Sequence, residues 1–124
     1  SIVGEVIPKG GFYSYESKYI DEDGAALEVP AKITQEELKM IQDISIKAFK
    51  VLECRGITRV DMFLTPSGAC FINEINTLPG FTKISMYPTL WDISGVSIQD
   101  LVDLLINYAI EEHQDLENLE VKFS

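Results

Sequence analysis

The chain has 124 residues, 46% of them hydrophobic and 24% charged, which bounds it to one globular domain with a real core and makes it small for a complete two-substrate enzyme. A formal net charge of −10 argues against a nucleic-acid partner, which selects a basic patch. It leaves room for a nucleotide whose phosphates are carried by metal and a few local cations, and no apolar run of about 18 residues announces a membrane span or a membrane partner.

Residues 1–8 read as a strand ending at Pro8. No initiating Met precedes it, and a chain that opens directly in a strand reads as a piece cut from a longer one. Gly10-Gly11 break the strand, and an aromatic-rich segment from Phe12 to Tyr19 follows, with Lys18 among its cations. Aromatics beside cations cover a purine ring or pad a core edge, and the pattern fits both. Residues 20–31 carry three consecutive acids, Asp21-Glu22-Asp23, and no steady periodicity, so they read as an exposed, mobile loop.

Thr34-Gln35-Glu36-Glu37 has the spacing of a capping box, with Thr34 as N-cap and Glu37 at the third helical position. Leu38, Ile41, Ile44, Ala48, Val51 and Leu52 then recur at helical spacing, and Ile46 and Phe49 widen the stripe. The helix is expected to close at Cys54-Arg55-Gly56, with Gly56 as the C′ residue. A long helix running straight into a hairpin predicts an α+β fold, an antiparallel sheet with flanking helices.

The hairpin spans 57–76: two β-rich runs flank Ser67-Gly68. A two-residue Ser67-Gly68 turn puts Asp61 opposite Glu74 and Arg59 opposite Asn76. With a side-chain period of two, these four groups share one face. Val60, Met62 and Leu64 then face the other way, toward the helix. Opposed carboxylates repel across strands. A hard divalent cation relieves that repulsion through oxygen ligands, Asn76 adds a neutral oxygen, and Arg59 offers a fixed charge suited to phosphate. An ordinary solvated face fits the same pattern, and a one-residue slip would separate the groups. In this register Cys70 faces the same way as Glu74. Neither Cys70 nor Cys54 belongs to a metal-binding spacing, so both read as free thiols of a reducing cytosol.

Pro79-Gly80 is a turn with a bare backbone N–H at Gly80. Ser85-Met86-Tyr87 precedes a short helix expected over 88–94, whose start is a ready anion site. A second helix is expected from Ser97, paired with Asp100, to about Glu111, with Ile98, Leu101, Val102, Leu105, Tyr108 and Ala109 on its stripe. Residues 111–124 read as an acidic tail carrying a solvated His113.

Arg59-Val60-Asp61, Asn73-Glu74-Ile75-Asn76-Thr77 and Pro79-Gly80-Phe81-Thr82 together resemble the D-alanine–D-alanine ligase family of the ATP-grasp superfamily, and its Gram-positive and vancomycin-resistance type members in particular. The resemblance runs from about Glu5 to Ala109. Family members are much longer, so it implies that residues 1–124 are the C-terminal half of an ATP-grasp fold, inactive alone. It implies that Asp61, Glu74 and Asn76 hold two Mg²⁺ (or Mn²⁺) ions with Glu74 bridging. Arg59 and the Gly80 N–H would stabilise charge on the transferring phosphoryl and the tetrahedral centre. Lys18 would contact ATP phosphates, Phe12 would lie near the adenine, and Tyr19 would sit in a loop closing over the site. Ser85 and Met86 would bind the carboxylate of the second amino acid. Lys83 has no assigned role. The implied substrates are ATP and D-amino acids, the implied setting is cytoplasmic cell-wall precursor synthesis, and the implied full-length assembly is a homodimer. Another ATP-grasp carboxylate–amine ligase and a non-catalytic metal- or nucleotide-binding module are the competing readings.

Overall fold

The computed structural model describes residues 1–7, 19–20 and 26–120. Five strands and three helices occur among them: β1 (Glu5–Ile7), β2 (Tyr19–Ile20), β3 (Ala26–Glu28), α1 (Gln35–Val51), β4 (Arg59–Leu64), β5 (Cys70–Asn76), α2 (Met86–Ile93) and α3 (Ile98–Glu120). The strands form two antiparallel sheets, one in the order β1-β3-β2 and the other the β4-β5 hairpin, so the α+β expectation holds.

The first sheet corrects the reading of residues 20–31. Ala26–Glu28 is not loop but the central strand, with Leu27 opposite Val6 on one side and Tyr19 on the other. Pairing from both edges makes Leu27 the most deeply buried large side chain described. Residues 1–4 run alongside. Ala31 N–H donates to the Val3 carbonyl (2.8 Å), the Gln42 side-chain amide of α1 donates to the Ser1 carbonyl (2.8 Å), and Ile2 N–H donates to Ser94 Oγ at the end of α2 (2.8 Å). A Cβ on Gly4 would lie 2.9 Å from Met86 Sδ and 3.0 Å from a Leu90 methyl, so any larger residue here has to displace side chains of α2.

The capping box of α1 forms as expected. Glu37 N–H donates to Thr34 Oγ1 (3.2 Å) and Thr34 N–H donates to Glu37 Oε2 (2.8 Å). The far end differs from expectation. Leu52 is the C-cap and Glu53, at φ 51°, takes the left-handed C′ position. Cys54 N–H then donates to Phe49 O (3.0 Å) and Glu53 N–H to Lys50 O (3.2 Å), the Schellman pattern. Gly56 is also left-handed, three residues later, where the chain turns into β4.

α2 starts two residues earlier than expected, at Met86. α3 is capped by Ser97, whose Oγ accepts from Asp100 N–H (3.2 Å) and donates to Asp100 Oδ2 (2.6 Å). It continues to Glu120, so most of the expected acidic tail is helix; His113 is exposed and lies 3.4 Å from Glu117 one turn on. α2 and α3 are inclined at 105° to each other. Arg55 ties the α1–β4 connection to Glu112 of α3 (2.7 Å), and Leu101 anchors α3 in the core. Among the described residues no single helix is long and apolar enough to cross a membrane.

Candidate active site

The hairpin brings the four expected polar groups together. Arg59 lies opposite Asn76 and Asp61 opposite Glu74. The route to that register is not the one the sequence suggested. The loop has three residues: Thr65 N–H donates to Ala69 O (2.8 Å), Gly68 N–H to Thr65 O (2.9 Å), and Gly68 sits at φ 82°. Pro66 suits the first central position of such a turn and Gly68 the left-handed one. A longer loop displaces the pairing by one, so Met62 faces Ile72 and Leu64 faces Cys70. A β-bulge between Asp61 and Met62 absorbs Asn73 and restores Asp61 to Glu74. The bulge also corrects the expectation for Cys70: its Sγ lies 3.4 Å from Met62 Sδ, on the face away from Asp61 and Glu74. Both cysteines are free thiols.

The two carboxylates are already partnered. Arg59 grips Asp61 in a double hydrogen bond, Nε to Oδ1 and Nη2 to Oδ2, both 2.8 Å, and its Nη2 reaches Glu74 Oε1 at 3.4 Å. The hydrogen bonds to Asp61, helped by both carboxylate charges, hold the guanidinium above its ordinary pKa against the opposing effect of burial. Asn76 Oδ1 accepts from Leu78 N–H (3.0 Å), which fixes the chain as it leaves β5. Among the described residues no group of three His, Cys, Asp or Glu side chains is placed to hold a metal. The donor set here is two carboxylates and one amide oxygen. All three are hard oxygen donors, and a carboxylate oxygen or amide carbonyl that accepts one hydrogen bond keeps a second lone pair, so the residues fit a hard divalent cation.

The segment after β5 gathers the second group. Ser85 is the N-cap of α2, yet its hydroxyl makes no bond to the helix. It is held instead by Thr82, whose N–H donates to Ser85 Oγ (3.0 Å) and whose hydroxyl lies 2.8 Å away. Gly80 comes so close that a Cβ there would sit 3.0 Å from Ser85 Oγ. Met86 turns its side chain inward against Gly4, so its backbone N–H is the group it can offer to a ligand. Pro88, buried at the third position of α2, has no N–H to satisfy. The ring of Phe81 packs on Tyr87, centroids 6.1 Å apart, and burial raises the Tyr87 phenol pKa. Thr82 and Gly4 are the contributors that sequence reasoning missed. The Thr82–Ser85 contact is local, a side-chain turn over three residues; the contact of Gly4 is long-range.

Phe12 and Lys18 lie outside the described residues. For Tyr19 the backbone is described, paired with Leu27 in β2. Lys83 is exposed in the turn before Ser85. Beside this turn lies an open apolar groove of about 380 Å³ between Leu78, Pro79 and Phe81 and the Val102, Leu105 and Ile106 side of α3.

A family profile described as "D-ala D-ala ligase C-terminus" matches residues 1–107. The chain is 60% identical over 114 residues to a protein named D-alanine--D-alanine ligase from Shouchella clausii, which covers 92% of this chain and 31% of that protein. It superposes on the D-alanine-D-alanine ligase from Coxiella burnetii with a TM-score of 0.78 and 43% identity, over 80% of this chain and 28% of that one. On the VanG D-Ala:D-Ser ligase from Enterococcus faecalis the TM-score is 0.73 and the identity 40%, over 86% of this chain and 31% of that one. The chain thus spans about a third of the length of the relatives it matches.

Proposed function

Because the chain belongs to the D-ala D-ala ligase C-terminus family, and its α+β architecture is that of the C-terminal part of those ATP-grasp ligases, we propose that it is the catalytic C-terminal part of an ATP-dependent ligase joining D-alanine to a second D-amino or D-hydroxy acid. The observation that carries the proposal is the opposed Asp61–Glu74 pair with Arg59 between the carboxylates and Asn76 at the end of the same strand. Large apolar side chains left open, Leu78 at 82% and Phe63 at 62%, suit a segment whose partners lie elsewhere in a longer protein.

In the proposed reaction the γ-phosphoryl of ATP passes to a carboxylate oxygen of D-alanine, giving ADP and an acyl phosphate. The amine of the second substrate, or the hydroxyl where that substrate is a hydroxy acid, attacks the acyl carbon, inorganic phosphate leaves, and the attacking group gives up a proton. Asp61, Glu74 and Asn76 would hold Mg²⁺, which supplies charge neutralisation for the crowded phosphates. Arg59 places a planar, permanently charged donor fork beside the same face, suited to a phosphoryl oxygen. The Gly80 N–H would donate to the oxyanion of the tetrahedral centre. The Ser85 hydroxyl and Met86 N–H would take the carboxylate of the second substrate at the start of α2, where helix polarity favours an anion. Lys18, Phe12 and Tyr19 complete the proposed nucleotide side and closing segment.

The test is phosphate release by the full-length protein, dependent on both ATP and D-alanine. Glu74→Gln should lower turnover about 100-fold or more, as loss of transition-state charge stabilisation does, with little change in stability. Near-normal turnover in that variant would sink the metal assignment.

A further inference from the structure

Both oxygens of Asp61 are engaged by one guanidinium at 2.8 Å, and Glu74 shares it at 3.4 Å. Two carboxylates set opposite each other need a neutralising charge, and here that charge is internal. Building on the reading of Asp61, Glu74 and Asn76 as metal ligands, we infer that Arg59 is the resident counter-ion of this pair, and that a divalent cation binds with full affinity only when the guanidinium transfers from Asp61 to a nucleotide phosphate.

The chemistry supports the exchange from both ends. A bidentate guanidinium–carboxylate pair is among the stronger charge-assisted contacts, and a divalent cation at the same carboxylate repels the guanidinium beside it. Two oxygens of a tetrahedral phosphate can accept from the planar guanidinium fork as the two carboxylate oxygens do, so Arg59 can pass from one to the other without losing its two hydrogen bonds. Arg59 and Asp61 are same-face neighbours on one strand, and the Arg59 side chain is about one-third exposed, so its outer part borders solvent and can turn toward a phosphate while the backbone pairing stays in place. The consequence is reciprocal coupling: nucleotide raises metal affinity, and metal raises nucleotide affinity, by the same factor.

The test uses the full-length ligase and Mn²⁺ as probe, with free Mn²⁺ counted by electron paramagnetic resonance, with and without a non-hydrolysable ATP analogue, the Mn²⁺ taken up by the analogue alone being subtracted by way of a matched protein-free titration. Wild type should bind Mn²⁺ at least about tenfold more tightly with the analogue than without. Arg59→Met should raise analogue-free Mn²⁺ affinity about tenfold and shrink the gain given by the analogue. Arg59→Lys retains the charge but cannot form the fork. It should move in the same direction as Arg59→Met, whereas a simple net-charge effect would leave it like wild type. Should Arg59→Met fail to fold, the lysine variant still decides. Unchanged or weaker analogue-free binding in Arg59→Lys overturns the inference. Glu74→Gln separates the two levels. If it abolishes Mn²⁺ binding while the Arg59 variants match wild type, only the counter-ion role fails; if it leaves Mn²⁺ binding intact, the metal reading fails with it.

Discussion

Arg59 and Asp61, two residues apart on β4, meet through two parallel hydrogen bonds of 2.8 Å on the same face of the hairpin. Both side chains remain about one-third exposed, which limits what the pair adds to stability. Asp61→Asn is therefore expected to cost about 1 kcal/mol or less in chemical unfolding. In the full-length protein the same change should lower turnover about 100-fold or more, because a carboxylate at the proposed metal site is lost. A large stability loss with turnover preserved would mark the pair as a structural brace.

Glu53 ends α1 in a conformation that suits glycine. Its φ of 51° costs a residue with a Cβ about 1–2 kcal/mol, and its negative charge lies at the negative end of the helix. Glycine is more flexible in the unfolded chain, which offsets part of the gain. Glu53→Gly should stabilise the chain by about 0.5–1 kcal/mol, read as a shift in urea midpoint at constant slope.

α1 was legible because two independent signals agree on it, the Thr34–Glu37 capping box and a long 3.6-residue stripe. The facing of Asp61 and Glu74 was legible only because two misreadings cancel. A two-residue turn and a three-residue turn with one bulged residue give the same partner for Asp61, and they part company at Met62. Pro66 signalled the longer loop, but nothing local to Asn73 signalled the bulge. β3 was lost for a different reason. Three residues are too few for a period, and Leu27 is buried between two strands, of which β1 lies far from it in sequence and β2 is too short to announce itself. The last turns of α3 were lost because Glu111 to Glu120 lack a strong apolar stripe, while Glu, Gln and Leu are good helix formers and His113 and Glu117 lie one turn apart.

Gly80 and Gly4 should respond to alanine in different ways. At Gly80 the new methyl would press on the Ser85 hydroxyl at 3.0 Å, a local and partly yielding contact. Gly80→Ala should raise the KM for the second substrate by about two- to fivefold while leaving the KM for ATP nearly unchanged, since the Ser85 hydroxyl has to give way and a misplaced positioning group is costly. At Gly4 the methyl would meet Met86 Sδ at 2.9 Å and Leu90 at 3.0 Å, so Gly4→Ala should destabilise by about 1–3 kcal/mol as an overpacked contact. Comparable effects of Gly80→Ala on both KM values would argue against Ser85 as a second-substrate group.

The Thr34–Glu37 box gives a pH signature. Hydrogen bonds from the Thr34 backbone and then its side chain hold the Glu37 carboxyl below the usual carboxylate range. A lowered folded-state pKa means that Glu37 stabilises the fold above its unfolded pKa, and that this contribution is lost as pH falls through the folded value. The stability difference between wild type and Glu37→Gln should therefore be constant near neutrality and shrink on acidification. Unfolding curves of the two proteins at matched pH values measure it, and a difference that does not change with pH would contradict the cap's ionic character.

Asn73 is the extra residue that the bulge takes up, and its deletion isolates what the bulge does. With Asn73 removed, the pairing of Met62 with Ile72 continues without interruption to Asp61 and Glu74, so the carboxylates stay opposed. What changes is the local twist and the aim of the strand beyond it, which a bulge increases and redirects. The deletion variant should keep the hairpin, seen as retained cross-strand NOEs between Met62 and Ile72. Turnover should nevertheless fall about 100-fold, because the direction of Glu74 and Asn76 relative to Arg59 is set by that twist. Full activity in a folded deletion variant would mean that register alone builds the site and that the bulge merely compensates for the length of the loop.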